Sequence, residues 1–202
     1  MKKTVLISIF TLFLCVGSVS AQLGINGGYS LASFNYTDFG GKRGMGGFMA
    51  GISYDFHIQN EWYIYTGLNY SQFRSTDKQV GAIYSKTLTY QHGLIELPVR
   101  ATFVMEVIDD LKLFVAAGPK LSYAILGRKT EKNVEGETTT NIYGKKDISP
   151  FNLMAGFNMG AQYTHYRLQL GYDWGILNQY SGVENDKVAK RAGFYISLGY
   201  IF

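Results

Sequence analysis

From about residue 22 onward, apolar side chains recur at every second position, in one segment after another. The clearest run is 151–163, where Phe151, Leu153, Ala155, Phe157, Met159, Ala161 and Tyr163 alternate with Asn152, Met154, Gly156, Asn158, Gly160 and Gln162. Only an extended strand throws successive side chains to opposite faces, so one face is greasy and the other polar or empty. Segments 168–176, 194–202 and 48–56 repeat the pattern. It is weaker but legible in 23–34, 62–73, 94–105 and 112–126. Before Gly93 the apolar parity flips to Leu88 and Tyr90, which predicts a bulge or a strand extension beyond the membrane.

These eight segments are joined by connections of alternating length. Stretches 35–43, 74–86, 127–148 and 178–191 are long and polar, whereas 57–61, 106–111 and 164–166 are short. An even strand count, with long loops at one end and tight turns at the other, is the pattern of an eight-stranded antiparallel up-and-down transmembrane β-barrel. Each strand has the roughly 9–11 residues needed to cross a bilayer at a tilt. Chain order puts the short turns and Phe202 on the periplasmic side.

Alternation alone leaves two barrels open. A soluble, lipocalin-like barrel turns its apolar face inward around a ligand; a membrane barrel turns it out to lipid. Three features favour the membrane. The other face is crowded with Gly, Ala, Ser and Asn, which suit a narrow lumen, and only 17% of the chain is charged, against about 25% in soluble domains. Trp62, Phe56, Phe103, Tyr163, Tyr200 and Phe202 gather near one end, and Tyr70, Tyr123, Phe151 and Trp174 near the other, as two interfacial girdles would. The sequence also closes on an aromatic residue within an alternating strand.

Residues 1–21 are expected to be a secretory signal peptide. Lys2 and Lys3 precede an apolar stretch from Thr4 to Val16, and Val19 and Ala21 are small residues before a cleavage at Gln22. Leu14 stands where a lipoprotein signal wants a small residue before Cys15. Cleavage leaves 22–202 as one outer-membrane barrel domain, lowers the formal charge from +4 to +2 and removes the single Cys, so thiol chemistry and disulfides drop out. A mean hydropathy near zero and the lack of any later 18-residue apolar run exclude a helical bundle. The small net charge gives no reason to expect nucleic acid.

Six charged residues lie on the predicted lumen face: Asp55, Glu96, Arg100, Lys120, Arg167 and Asp173. They read either as a selectivity constriction or proton-linked site, or as a satisfied ion network filling a narrow barrel. His57, His92 and His165 have no partner at metal-ligand spacing, so neither metal nor cofactor is expected. No nucleophile motif supports an embedded lipid hydrolase. Gly40–Gly47, GGKRGMGG, is glycine-rich and basic but lacks the ending of a phosphate loop, and reads as a flexible surface loop entering a strand.

Residues 94–127 carry Glu96 and Pro98 in one strand, a short turn, then Ala117, Gly118 and Pro119 in the next. This hairpin resembles the central hairpin of the outer-membrane β-barrel domain family that includes PorT-like proteins. The hairpin 151–178 and the strand ending at Phe202 resemble the family's next hairpin and last strand. The resemblance implies a cell-outer-membrane fold and says little of activity. The expected role is therefore a non-enzymatic scaffold or interaction protein. A narrow porin is the first alternative, and a membrane-embedded lipid-modifying enzyme the second. Expected partners are outer-membrane lipid and lipopolysaccharide, a protein at 127–148 and 178–191, and the barrel-assembly machinery through the strand ending at Phe202.

Overall fold

The structure is a computed structural model that describes residues 21–36, 41–80, 85–133, 136–143, 148–180 and 187–202. The signal-peptide segment lies outside these residues, apart from Ala21. Nine strands are described: β1 (Ala21–Tyr36), β2 (Gly41–Gln59), β3 (Trp62–Val80), β4 (Ser85–Ile108), β5 (Leu111–Asn133), β6 (Gly136–Asn141), β7 (Phe151–Tyr163), β8 (Tyr166–Gly175) and β9 (Ala189–Ile201). Eight of them form the ring: each pairs antiparallel with its neighbour, β5 passes directly to β7, and β1 closes on β9 from Gly24↔Ile201 to Tyr36↔Ala189. The ninth, β6, pairs with β5 alone and forms a hairpin above the ring. Closure satisfies every strand edge inside the bilayer, which is what lets a sheet cross lipid.

The outer surface is the apolar half of the alternation. Leu23, Ile25, Ile52, Leu68, Leu97, Val115, Leu121, Met159, Leu170, Ile196 and Leu198 are all exposed. At one end Trp62 packs on Phe103 at 5.3 Å between ring centroids, and Tyr200 on Phe202 at 5.3 Å. At the other, Tyr70, Ile95, Tyr123 and Phe151 stand in one cross-strand row. Three turns at the first end are two residues long, at 60–61, 109–110 and 164–165, tighter than the connections expected. Each holds one residue in the left-handed region: Asn60, Asp110 and Thr164.

The long polar connections need correction. β3 continues to Val80 and β4 begins at Ser85, so most of 74–86 is strand. Likewise β5 and β6 occupy much of 127–148, β9 begins at Ala189, and the glycine-rich GGKRGMGG segment is strand β2 from Gly41. Beyond the lipid neither face has to be apolar, so pairing persists there without period-two hydrophobicity. The parity flip before Gly93 resolves the same way. There is a bulge at Gly93/Leu94, but the extra residue, Ile125, is on β5. Leu88, Tyr90, His92, Leu94 and Glu96 all face inward along β4. The facing stays constant while the chemistry of the lumen changes from polar to apolar.

Candidate functional site: a filled lumen

The lumen is built in layers. Nearest the tight turns, Arg167 on β8 pairs with Asp55 on β2 at 2.7 Å and donates to Gln162 at 2.9 Å, with its guanidinium over the Phe114 ring. In the middle lies the main network. Arg100 on β4 is ion-paired with Asp173 on β8 and donates to the Tyr195 hydroxyl on β9 at 2.6 Å. Lys120 on β5 bridges Asp173 at 2.6 Å and Glu96 at 3.1 Å. Glu96 also accepts from Ser71 at 2.6 Å and from Arg191 on β9 at 2.7 Å. Glu96 and Arg100, four residues apart on one strand, are thus linked through Lys120 and Asp173.

All six lumen charges read from the sequence face inward, in two groups: Asp55 with Arg167, and Glu96, Arg100, Lys120 and Asp173. Arg191 was not among them. It falls in what read as the end of a polar loop, although the alternation of 194–202 carried back three residues puts it on the lumen face. Five different strands supply this central cluster, so it forms only when the barrel closes.

Backbone shape makes the cluster possible. Gly118 faces the β4 backbone at Val99 and Arg100, and a Cβ there would overlap the Val99 carbonyl. Gly156 lies against Asp173, and a Cβ there would overlap its carboxylate. A glycine lets another chain approach closely. Pro98 withholds an N–H from the β4 ladder, and its carbonyl accepts from the Thr66 hydroxyl at 2.9 Å. Of these motif residues Glu96 and Pro98 face the lumen and Gly118 admits the β4 backbone, whereas Ala117 and Pro119 are on the outer surface.

The outermost layer is apolar. Ala32, Phe34, Met45, Phe73, Leu88, Tyr90, Leu94 and Ala124 form a buried cluster, closed from above by Ile142, Ile148 and Ala189. Ile142 has no solvent exposure. Tyr143 and Tyr180 pack on the cluster, an isolated bridge joins Ile148 to Tyr180, and Gln179 donates to the Ser149 carbonyl at 2.9 Å. His92 stacks on Phe34 at 4.3 Å and shares a 2.8 Å hydrogen bond with the Tyr143 hydroxyl. His57 meets the Asn60 carbonyl at 2.8 Å at a turn, and His165 stacks on Tyr200.

The cavity lined by Glu96, Arg100, Lys120, Asp173, Arg191 and Tyr195 holds only about 30 Å³. That is space for a water or two.

The profile of the outer membrane protein β-barrel domain family matches residues 18–181. The chain belongs to that family. The match is to the domain family as a whole, not to its PorT-like members in particular. With the closed ring and its apolar exterior, it places the protein in the outer membrane. No curated protein matches the chain by sequence. Among solved structures the chain is similar to the Neisserial surface protein A, with 14% identity, TM-score 0.47, and 91% of this chain and 99% of that one covered. It is similar to the attachment invasion locus protein Ail of Yersinia pestis, with 14% identity, TM-score 0.45, and coverage of 90% and 99%. It is also similar to the outer membrane enzyme PagL, with 11% identity, TM-score 0.44, and coverage of 86% and 98%. At such identities and TM-scores none of the three transfers a role.

In the extensions beyond the membrane, carboxylates are held by neighbouring lysines. The Lys86 ammonium bonded to Glu131 keeps that carboxyl below its ordinary range. At the opposite end Lys112 does the same for Glu106.

Proposed function

We propose that the protein is a non-conducting, non-enzymatic barrel that presents its extracellular strand extensions to a partner. One observation carries this reading: the lumen is blocked twice, by the ion network joining β4, β5, β8 and β9 and by the apolar cluster above it. A solute path would have to break both. His92, the histidine nearest the mouth, has its ring against Phe34 and Tyr143 in that cluster, a setting that supports packing rather than general-base work. Within the same reading, a protein partner meets the barrel at 127–148 and 178–191. The assembly machinery engages the strand ending at Phe202, and export ends with cleavage between Ala21 and Gln22.

Planar-bilayer recording on the refolded protein tests the reading. The expected record has no stable steps. Reproducible steps abolished or enlarged by Arg100→Ala would replace the reading with a narrow porin.

A further inference from the structure

Outside the membrane, β3, β4, β5 and β6 continue as a four-stranded sheet, and its two faces differ. On the face turned toward the barrel axis, Asp77 is ion-paired with Arg43, and Glu131 with Lys86 at 2.5 Å and Lys129 at 3.8 Å. The outward face continues the lipid-facing surface upward. Its register is a grid of three rows. The first is Arg74, Gln91, Arg128, Asn141; the second Thr76, Thr89, Thr130, Thr139; the third Lys78, Thr87, Lys132, Glu137. The threonine hydroxyls lie 3.4 Å apart between Thr76 and Thr89 and 3.1 Å apart between Thr130 and Thr139. Arg74, Lys78, Arg128 and Lys132 are exposed. Among the described residues none of these four cations has an ion-pair partner, and Glu137 is the one carboxylate in the grid. The inner face thus pairs its two carboxylates with three cations, whereas the outer face carries four exposed cations against one carboxylate.

Height decides what that is. The aromatic row of Tyr70, Ile95, Tyr123 and Phe151 lies on the same outer surface, four β3 residues below Arg74. At about 3.3 Å per residue and a tilt near 40°, the first cation row stands roughly 10 Å above the ring that marks the headgroup level. Long Arg and Lys side chains reach down from there along the wall. We infer that this grid binds the phosphate-bearing sugar headgroups of outer-leaflet glycolipid, with Arg74, Lys78, Arg128 and Lys132 on the phosphates and the threonine row on the sugar hydroxyls. Guanidinium and ammonium groups match phosphate charge, and a soluble partner would have to approach a wall flanked by lipid. The inference rests on the proposed outward-acting barrel but not on the sealed lumen, so a conducting barrel would leave it standing.

Native mass spectrometry of the full, detergent-solubilised barrel is the test. The probes are bisphosphorylated lipid A and the same acylated disaccharide without phosphates. The variant is Arg74→Gln/Lys78→Gln/Arg128→Gln/Lys132→Gln, with its fold checked by the gel-mobility shift on boiling. The pair Arg74→Gln/Arg128→Gln serves if the fourfold variant fails that check. Lipid A occupancy should fall at least tenfold when the phosphates are removed, and at least tenfold in the fourfold variant (at least threefold in the pair). Equal occupancy with the dephosphorylated lipid, or an unaffected variant, overturns the inference. Displacement of lipid A by inorganic polyphosphate at equal phosphate concentration also overturns it, and leaves a general polyanion surface in its place.

Discussion

Three cations, Arg100, Lys120 and Arg191, share two carboxylates, Glu96 and Asp173, in the middle of the lumen. The imbalance makes the partners unequal. Each carboxylate is held by Lys120 and by an arginine of its own, so losing the lysine leaves both anions paired. Losing a carboxylate strands its own buried arginine, Arg191 for Glu96 or Arg100 for Asp173, and leaves Lys120 with one partner. Breaking a buried pair by removing one partner costs about 3–5 kcal/mol. Glu96→Gln and Asp173→Asn should each lower unfolding free energy by about that much, whereas Lys120→Met should cost about 1 kcal/mol or less, because its methylenes are largely kept. Urea titration of the detergent-solubilised barrel, followed by gel mobility, gives the comparison. A Lys120→Met loss as large as that of Glu96→Gln would mean that the lysine holds the cluster together.

Strand β5 serves two structures: its inner part pairs with β4 and β7 within the ring, and its outer part with β4 and β6 above it. Since β6 pairs with β5 alone among the described strands, the outer hairpin should be separable from the barrel. Replacing 131–138 with Asn-Gly keeps Thr130 opposite Thr139 across a two-residue turn. It removes the half-buried Lys86–Glu131 pair, a surface ion pair of the kind that contributes little to stability. The shortened protein should keep its mobility shift on boiling and unfold within about 1 kcal/mol of wild type; loss of the shifted form would show that the hairpin is needed for closure. This division also explains what could be read beforehand. The eight ring strands were legible because lipid demands an apolar residue at each outward position, as at Leu168, Leu170, Tyr172 and Trp174. Inward Glu96, Arg100 and Lys120 followed by parity. The extensions were not legible, because Thr87, Thr89, Thr130 and Thr139 are held by backbone pairing, which leaves no hydrophobic period. Arg191 was missed for that reason, as was the inward facing of Leu88 and Tyr90, whose apolar parity describes the upper lumen and not the lipid.

The molecule as a whole is a barrel whose two seals differ in kind, and that difference predicts how it can be opened. The lower seal is polar, so a gap cut into it by Arg100→Ala and Lys120→Ala would fill with water held by Ser71, Ser122, Asn158 and Gln169, all buried there. The upper seal is apolar. A gap cut into it by Phe34→Ala and Ile142→Ala would be lined by Met45, Phe73 and Leu94, with the His92 ring on one side, and a largely apolar gap takes up water far less readily than a polar one. Either pair of substitutions alone therefore leaves one barrier intact: an unbroken apolar plug in the first case, an unbroken charged cluster in the second. Only the combined variant joins a wet lower lumen to a thinned mouth. Planar-bilayer recording on variants first shown to be folded by their mobility shift should find no steps in either double variant and small, frequent steps in the combined one. Steps in the Arg100→Ala/Lys120→Ala protein alone would show that the apolar layer is no seal, and that the network by itself closes the lumen.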